Sequence, residues 1–372
     1  MRANLLDVVT SALDARTAVP ALSTYDFTTA QAVVAASERA DRPVILLVPP
    51  KAAAGSGGRR LVTALRHLAD DAATPVCVQL DHAVDLGLVE QAVAAGADAV
   101  LADGSALPHA ENAAFVARAR ELAGPGVVVE AELGGLPGDE DTARISAAGG
   151  MTDPDAVPAF LAASGADLLA VNVGNVHGHY QGTPRLHWSR LEQICEAADR
   201  TPLVLHGASG IPETMLVRAP LAGIGKININ TELRSAVLAA LADRLEERRH
   251  EGLDLWALLG DWTGAVREFT ALAHALTTAE ARSRNSCAPV RRCATPCPGA
   301  RSAGHLRSAG RHHQHAPPAP ITTRGVPHGV HPTRQFRPLR LPAGPGHHPL
   351  RLRRRVREDR GPRPGRGPPP GR

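Results

Sequence analysis

Short β-branched runs alternate with longer Ala/Leu/Arg/Glu stretches eight times over residues 1–280, and this alternation constrains the fold more than any single motif. The runs are TAVPAL (17–22), PVILLV (43–48), PVCVQLD (75–81), DAVLADG (98–104), VVVEAELG (127–134), LLAVNVG (168–174), PLVLHGA (202–208) and KININ (226–230). They are almost continuously apolar, as strands covered on both faces are. Between them, stretches such as TAQAVVAASERA, LGLVEQAVAAGA and AENAAFVARARELA carry a helical period. TDPDAVPAFLAA (152–163) opens with a cap residue and an early proline, the marks of a helix N-terminus. Repeated β/α units of this length predict an α/β fold, the (β/α)8 TIM barrel. The competing arrangement is an open doubly wound sheet. Against it, no GxGxxG follows the first run, and polar residues end several runs instead of gathering at one crevice. Aromatics make up only 3% of the chain, so the predicted core is aliphatic.

The composition changes abruptly near Arg284. Residues 284–372 are Arg, Pro, Gly, His, Ala and Ser, with Glu358 and Asp359 the only acids. Pro and Gly interrupt every candidate element, and too little apolar surface is present to offset the entropy of ordering. The expectation is a catalytic-size domain over 1–280 followed by a disordered basic tail. One reading makes the tail an arm for nucleic acid or another acidic surface. The favoured reading is out-of-frame translation of a GC-rich gene, because the chain has two lysines, Lys51 and Lys226, against abundant arginine.

The formal charge of +4 therefore belongs mostly to the tail and does not make the barrel a nucleic-acid binder. No apolar run reaches the ~20 residues of a membrane span. The N-terminal MRANLLDVVTSALDA carries aspartates where a signal peptide is apolar. Five irregularly spaced cysteines form no disulfide framework. These features together predict a cytoplasmic protein.

In a TIM barrel the carboxyl ends of the strands and the following loops form the active face. The third run ends on Asp81 and His82, the fourth on Asp103, and the fifth on Glu132 before GGLPGDED. The sixth ends on Asn172 and leads to His177 and Gly178, the seventh on His206-Gly207-Ala208-Ser209, and the eighth on Asn228-Ile229-Asn230-Thr231. One loop histidine is ordinarily bonded to a nearby carbonyl. Three on one rim, His82, His177 and His206, make a ligand set for a catalytic zinc with an open position. Glycines and backbone amides on the last two runs suit a phosphate, although tight turns alone would also require them. Asp81 reads equally as an acid/base on a hydroxyl near the ion or as an orienter of a histidine. Asp139, Glu140 and Asp141 read first as solvated charge on a Gly-rich loop, and such a loop can also deliver a base on closure.

QLDHA, VEAELG, MTDP…SGADLLAVNVGNVHGHYQGTP, LVLHGASGIP and GIGKININTELR together resemble the class II, metal-dependent ketose-bisphosphate aldolases of the fructose and tagatose type. The likeness runs in order from near the N-terminus to about residue 245. It implies reversible cleavage of a ketose 1,6-bisphosphate into dihydroxyacetone phosphate and an aldehyde through a zinc-stabilised enediolate. His82, His177 and His206 would hold the catalytic zinc, and Asp103 and Glu132 a second metal ion. Asp81 would handle the C4 hydroxyl proton, and Glu140 the proton of dihydroxyacetone phosphate. Gly178, Gly207, Ala208, Ser209, Asn228, Ile229, Asn230 and Thr231 would hold that substrate and its phosphate. A Schiff-base lysine is not required, so Lys226 need not be a nucleophile. The expected partner is a phosphorylated sugar, with neither membrane nor nucleic acid, and the expected assembly is a homodimer or homotetramer.

The chain departs from the family pattern at three places. Gln79 replaces the first histidine of the HxDH pattern, TYDFTTA (24–30) and VPPKAAAGSGG (48–58) differ from the usual loops, and the tail replaces the family's C-terminal segment. Two further readings follow: a catalytically impaired sugar-phosphate-binding barrel, or a nucleic-acid binder acting through the tail.

Overall fold

In a computed structural model that describes residues 1–136, 150–178 and 184–278, each apolar run forms a strand. These are β1 (Val19–Ser23), β2 (Val44–Val48), β3 (Val76–Ala83), β4 (Ala99–Ala102), β5 (Val128–Leu133), β6 (Leu168–Val171), β7 (Leu203–Leu205) and β8 (Ile224–Ile229). They pair in parallel in sequence order, and β8 returns to β1 with Ala21 opposite Asn228, closing a TIM barrel. The expected tail, residues 284–372, lies outside the described residues, as does its boundary with the barrel.

Alternation along each strand separates two cores. Val19, Ala21, Ile45, Leu47, Cys77, Ala99, Val128, Leu168, Ala170 and Val204 fill the barrel interior. Their neighbours, among them Leu46, Val78, Val100, Val129 and Leu169, pack outward under the helices. All of these side chains are aliphatic or small apart from the Cys77 thiol, so an aromatic-poor chain still fills its core.

The amino end of the barrel is closed by the helix Leu5–Asp14. Asn4 caps it by accepting from the N–H groups of Leu6 and Asp7, at 2.9 and 3.2 Å. Leu5, Val9 and Ala12 then face the interior cluster. Gly225 in β8 permits this contact, because a Cβ there would stand 2.5 Å from Cγ1 of Val9. The last helix among the described residues, Leu255–Thr277, packs on the helix Phe27–Ala40. Trp262 donates to Thr29 at 3.0 Å, and His274 bonds Ser37 at 2.9 Å.

The interior changes character toward the carboxyl end. Continuing the alternation, β3 turns Gln79 and Asp81 inward, β5 turns Glu130 and Glu132, and β8 turns Lys226 and Asn228. All six are at most 2% exposed, so the barrel ends in a buried polar layer.

Candidate active site

His82 owes its place to an irregularity. On alternation alone, Asp81 points inward and His82 outward. The β3–β4 register shifts between Leu80 and Ala83, and His82 takes a φ of +38°. A bulge of this kind re-aims a side chain, and the left-handed backbone costs on the order of 1–3 kcal/mol. Two consecutive residues thus reach the same rim, which explains why an apolar strand ends on Asp-His.

His177 sits in the loop after β6, which its own asparagines hold. Asn175 accepts from the N–H of Val173 at 2.8 Å and donates to the carbonyls of Val171 and His206 at 3.2 and 3.0 Å. Asn172 accepts from Gly174 N–H at 3.0 Å and donates to Gly135 O at 2.9 Å. His206 follows β7 and is fully buried. Gly207 behind it has φ +58°, and a Cβ there would lie 2.1 Å from the carbonyl oxygen of Val176. Only glycine lets the two histidine-bearing loops pass this closely.

The three imidazoles converge. Ring centroids are 5.0 Å apart for His82–His177, 4.9 Å for His82–His206 and 6.1 Å for His177–His206. One nitrogen from each lies within 4.8 Å of the others. Tetrahedral zinc–nitrogen bonds of ~2.1 Å would place ligand nitrogens ~3.4 Å apart, so the three rings would close inward from this spacing to share an ion. In a second group, His82, Asp103 and Glu132, the ligand atoms also lie within 4.8 Å of one another. Within it, His82 Nδ1 lies 2.7 Å from Asp103 Oδ2.

The electrostatics separate these groups. His177 is pushed well below the usual imidazole range by burial and by its two imidazole neighbours, which keeps its ring neutral and its lone pair available. Burial raises the Asp103 carboxyl, but the bond and charge of His82 together with the bonds from Ser105 outweigh it and hold the group well below the carboxylate range. For His206 burial lowers the pKa, yet the bond to Glu130 and the nearby Glu132 carboxylate prevail and raise it to about 9.

Asp81 is fully buried, and neither carboxylate oxygen has a hydrogen-bond partner among the described residues. A buried carboxylate left this way costs several kcal/mol. A donor or a cation belongs against it, which fits a ligand hydroxyl beside an ion.

The remaining expected residues gather on the same rim. Gly178 has φ +85°, and Ala208 and Ser209 are 3% and 5% exposed. Asn228, Ile229, Asn230 and Thr231 are also buried, and Thr231 starts the helix Thr231–His250, so backbone N–H groups face the rim. Neither side-chain polar atom of Asn228 has a hydrogen-bond partner among the described residues. Asn230 donates to the Tyr25 hydroxyl at 3.2 Å, bringing in the first loop. Glu140 lies outside the described residues.

Reading only the strand ends missed a residue chain one step below them. Lys226 Nζ donates to Glu130 Oε2 at 2.6 Å, Gln79 Nε2 donates to the same oxygen at 2.9 Å, and Glu130 Oε1 lies 2.8 Å from His206 Nε2. Burial raises the Glu130 carboxyl, but Lys226 and then His206 outweigh it and bring it to about 2. The period-2 pattern of VEAEL, VQLD and KININ carried this signal.

The chain matches the family model "Fructose-bisphosphate aldolase class-II" over residues 3–282. It is 39% identical over 232 residues to the D-tagatose-1,6-bisphosphate aldolase subunit GatY of Klebsiella oxytoca, covering 62% of this chain and 81% of that one. The crystal structure of the YdjI aldolase of Escherichia coli K12 superposes with a TM-score of 0.66 at 28% identity, covering 74% of this chain and 97% of that one. The fructose-bisphosphate aldolase of Campylobacter jejuni, at 20% identity, shares the fold with a TM-score of 0.61 over 73% of this chain and 93% of that one. With the family's motifs and barrel both in place, the chain belongs to the class II fructose-bisphosphate aldolases, carbon–carbon lyases of carbohydrate metabolism.

Proposed function

We propose that the chain is a zinc-dependent aldolase that reversibly cleaves a ketose 1,6-bisphosphate, fructose or tagatose type, into dihydroxyacetone phosphate and an aldehyde. The observation that carries this reading is the convergence of His82, His177 and His206 beside a buried carboxylate, Asp81, that lacks a partner among the described residues. The three imidazoles would hold the ion. When bound, it supplies Lewis-acid stabilisation, worth several kcal/mol, for the charge that C–C cleavage leaves beside the carbonyl.

The chain's own residues do the rest. Asp81 takes the proton of the C4 hydroxyl during cleavage and returns it in condensation. Its burial keeps water from competing for that proton. Gly178, Gly207, Ala208 and Ser209 position dihydroxyacetone phosphate, and Asn228 to Thr231 meet its phosphate at the helix N-terminus. Glu140 exchanges the proton of dihydroxyacetone phosphate. Asp103 and Glu132, with His82, would hold a second metal ion.

Residues 1–280 carry this activity, and 284–372 are a basic tail best read as out-of-frame translation. The enzyme works in the cytoplasm as a homodimer or homotetramer. No helix among the described residues is long and apolar enough to cross a membrane. Cleavage of fructose and tagatose 1,6-bisphosphates, measured side by side for wild type and His206→Ala together with their zinc content, tests the reading. Loss of both zinc and cleavage in the variant is expected; a zinc-free variant that cleaves normally would overturn it.

A further inference from the structure

We propose that Glu130, clamped between Lys226 and Gln79, is a positioning residue that fixes the ring orientation and tautomer of His206 for metal binding. The inference rests on the three-histidine reading and adds to it a layer of the barrel that touches neither ion nor substrate.

The geometry assigns each atom one task. Both oxygens of Glu130 are used: Oε2 accepts from Lys226 at 2.6 Å and from Gln79 at 2.9 Å, and Oε1 meets His206 Nε2 at 2.8 Å. A carboxylate already accepting an ammonium and an amide can only accept from the imidazole, so Nε2 carries the hydrogen. Nδ1 is then the nitrogen turned to the barrel mouth, where Glu132 Oε2 stands 3.1 Å away. A metal-ligating histidine needs this arrangement, with its outer nitrogen donating to a carboxylate that sets the tautomer and raises ligand basicity.

Stability gives no reason to keep the group. Glu130 and Lys226 are both fully buried, and the cost of removing two charges from water offsets much or all of their attraction. Apolar residues of similar volume would fill this layer at least as well, as Leu47 and Leu101 do elsewhere in the interior. A nucleophilic role for Lys226 does not fit either, since its Nζ is committed to Glu130. Lys226 serves instead as the counter-charge that keeps the carboxylate in place. Gln79 is the neutral second donor, which gives a reason for an amide at the position where the family pattern has a histidine.

The deciding variant is Glu130→Gln/Lys226→Met, which removes both buried charges at nearly constant volume. Zinc affinity is measured on the full chain by competition with a chromophoric chelator at a fixed, mildly alkaline pH, with thermal unfolding of the metal-free proteins and the visible spectrum of the cobalt-substituted forms. The double variant is expected to melt at or above the wild-type temperature, bind zinc about 10–100-fold more weakly and change the cobalt spectrum. Zinc affinity within about threefold of wild type, with an unchanged cobalt spectrum, would overturn the inference. If the double variant does not fold, Glu130→Gln alone is judged by the same affinity and spectral criteria. Failure of the wild type itself to bind zinc or cobalt is a separate result, which would remove the metal reading on which this one rests.

Discussion

Glu132 Oε2 stands 3.1 Å from His206 Nδ1, and the same oxygen is 3.9 Å from Nδ1 of His82. The three-imidazole group and the carboxylate group therefore share a border, and His82 belongs to both. Glu132→Gln is expected to keep one tightly held zinc ion while losing a second, weaker equivalent that the wild type takes up at high metal concentration. Metal titration followed by calorimetry measures this, and equal stoichiometry in the two proteins would contradict the second site.

Asp81→Asn separates chemistry from stability. The substitution removes a buried charge without a hydrogen-bond partner among the described residues, so unfolding free energy is expected to stay level or rise. Cleavage should fall about 10²–10⁴-fold, the usual loss of a general acid/base, with zinc content unchanged. Loss of zinc in the variant would instead make Asp81 an orienter of the metal ligand.

Gly207→Ala tests the loop crossing. An added Cβ would meet the Val176 carbonyl oxygen at 2.1 Å from a backbone with φ +58°. A destabilisation above about 2 kcal/mol is expected, together with weaker zinc binding as the segment before His177 is displaced. Chemical unfolding alongside zinc affinity measures both, and a wild-type value for either would show that the loops are not held as described.

His274, far from the site, sets a pH limit on the fold. Burial, and then the Arg42 guanidinium, lower its pKa from 6.5 to about 4. The unfolded chain therefore takes up a proton here that the folded chain refuses. The resulting stability is fully present above about pH 6.5 and is lost as pH falls through about 4, amounting to roughly 3 kcal/mol at most. His274→Gln should flatten the slope of unfolding free energy against pH between those values. An identical slope in both proteins would assign the acid sensitivity to other groups.

The barrel and its rim were legible because apolar runs mark the strands and polar residues such as Asp81, His177 and His206 mark where each run ends. Residues distant in sequence meet there through topology, so no side-chain detail was needed. The buried layer of Gln79, Glu130 and Lys226 required more. Its residues lie inside apolar runs, and only the period-2 alternation of a closed sheet shows that they face one another. The bulge at His82 has no local signature, since it arises from a register shift between β3 and β4. The helix Leu5–Asp14 could have been read from the Asn4 cap and the i, i+4, i+7 spacing of Leu5, Val9 and Ala12.

Stepwise zinc titration of the chelator-stripped protein, with cleavage of fructose and tagatose 1,6-bisphosphates followed at each addition, addresses the metal centre most directly. Activity should be absent at the start and return in proportion to added zinc, levelling off after about one equivalent per chain. Full cleavage by the stripped protein, before any zinc is added, would contradict the shared-ion centre of His82, His177 and His206.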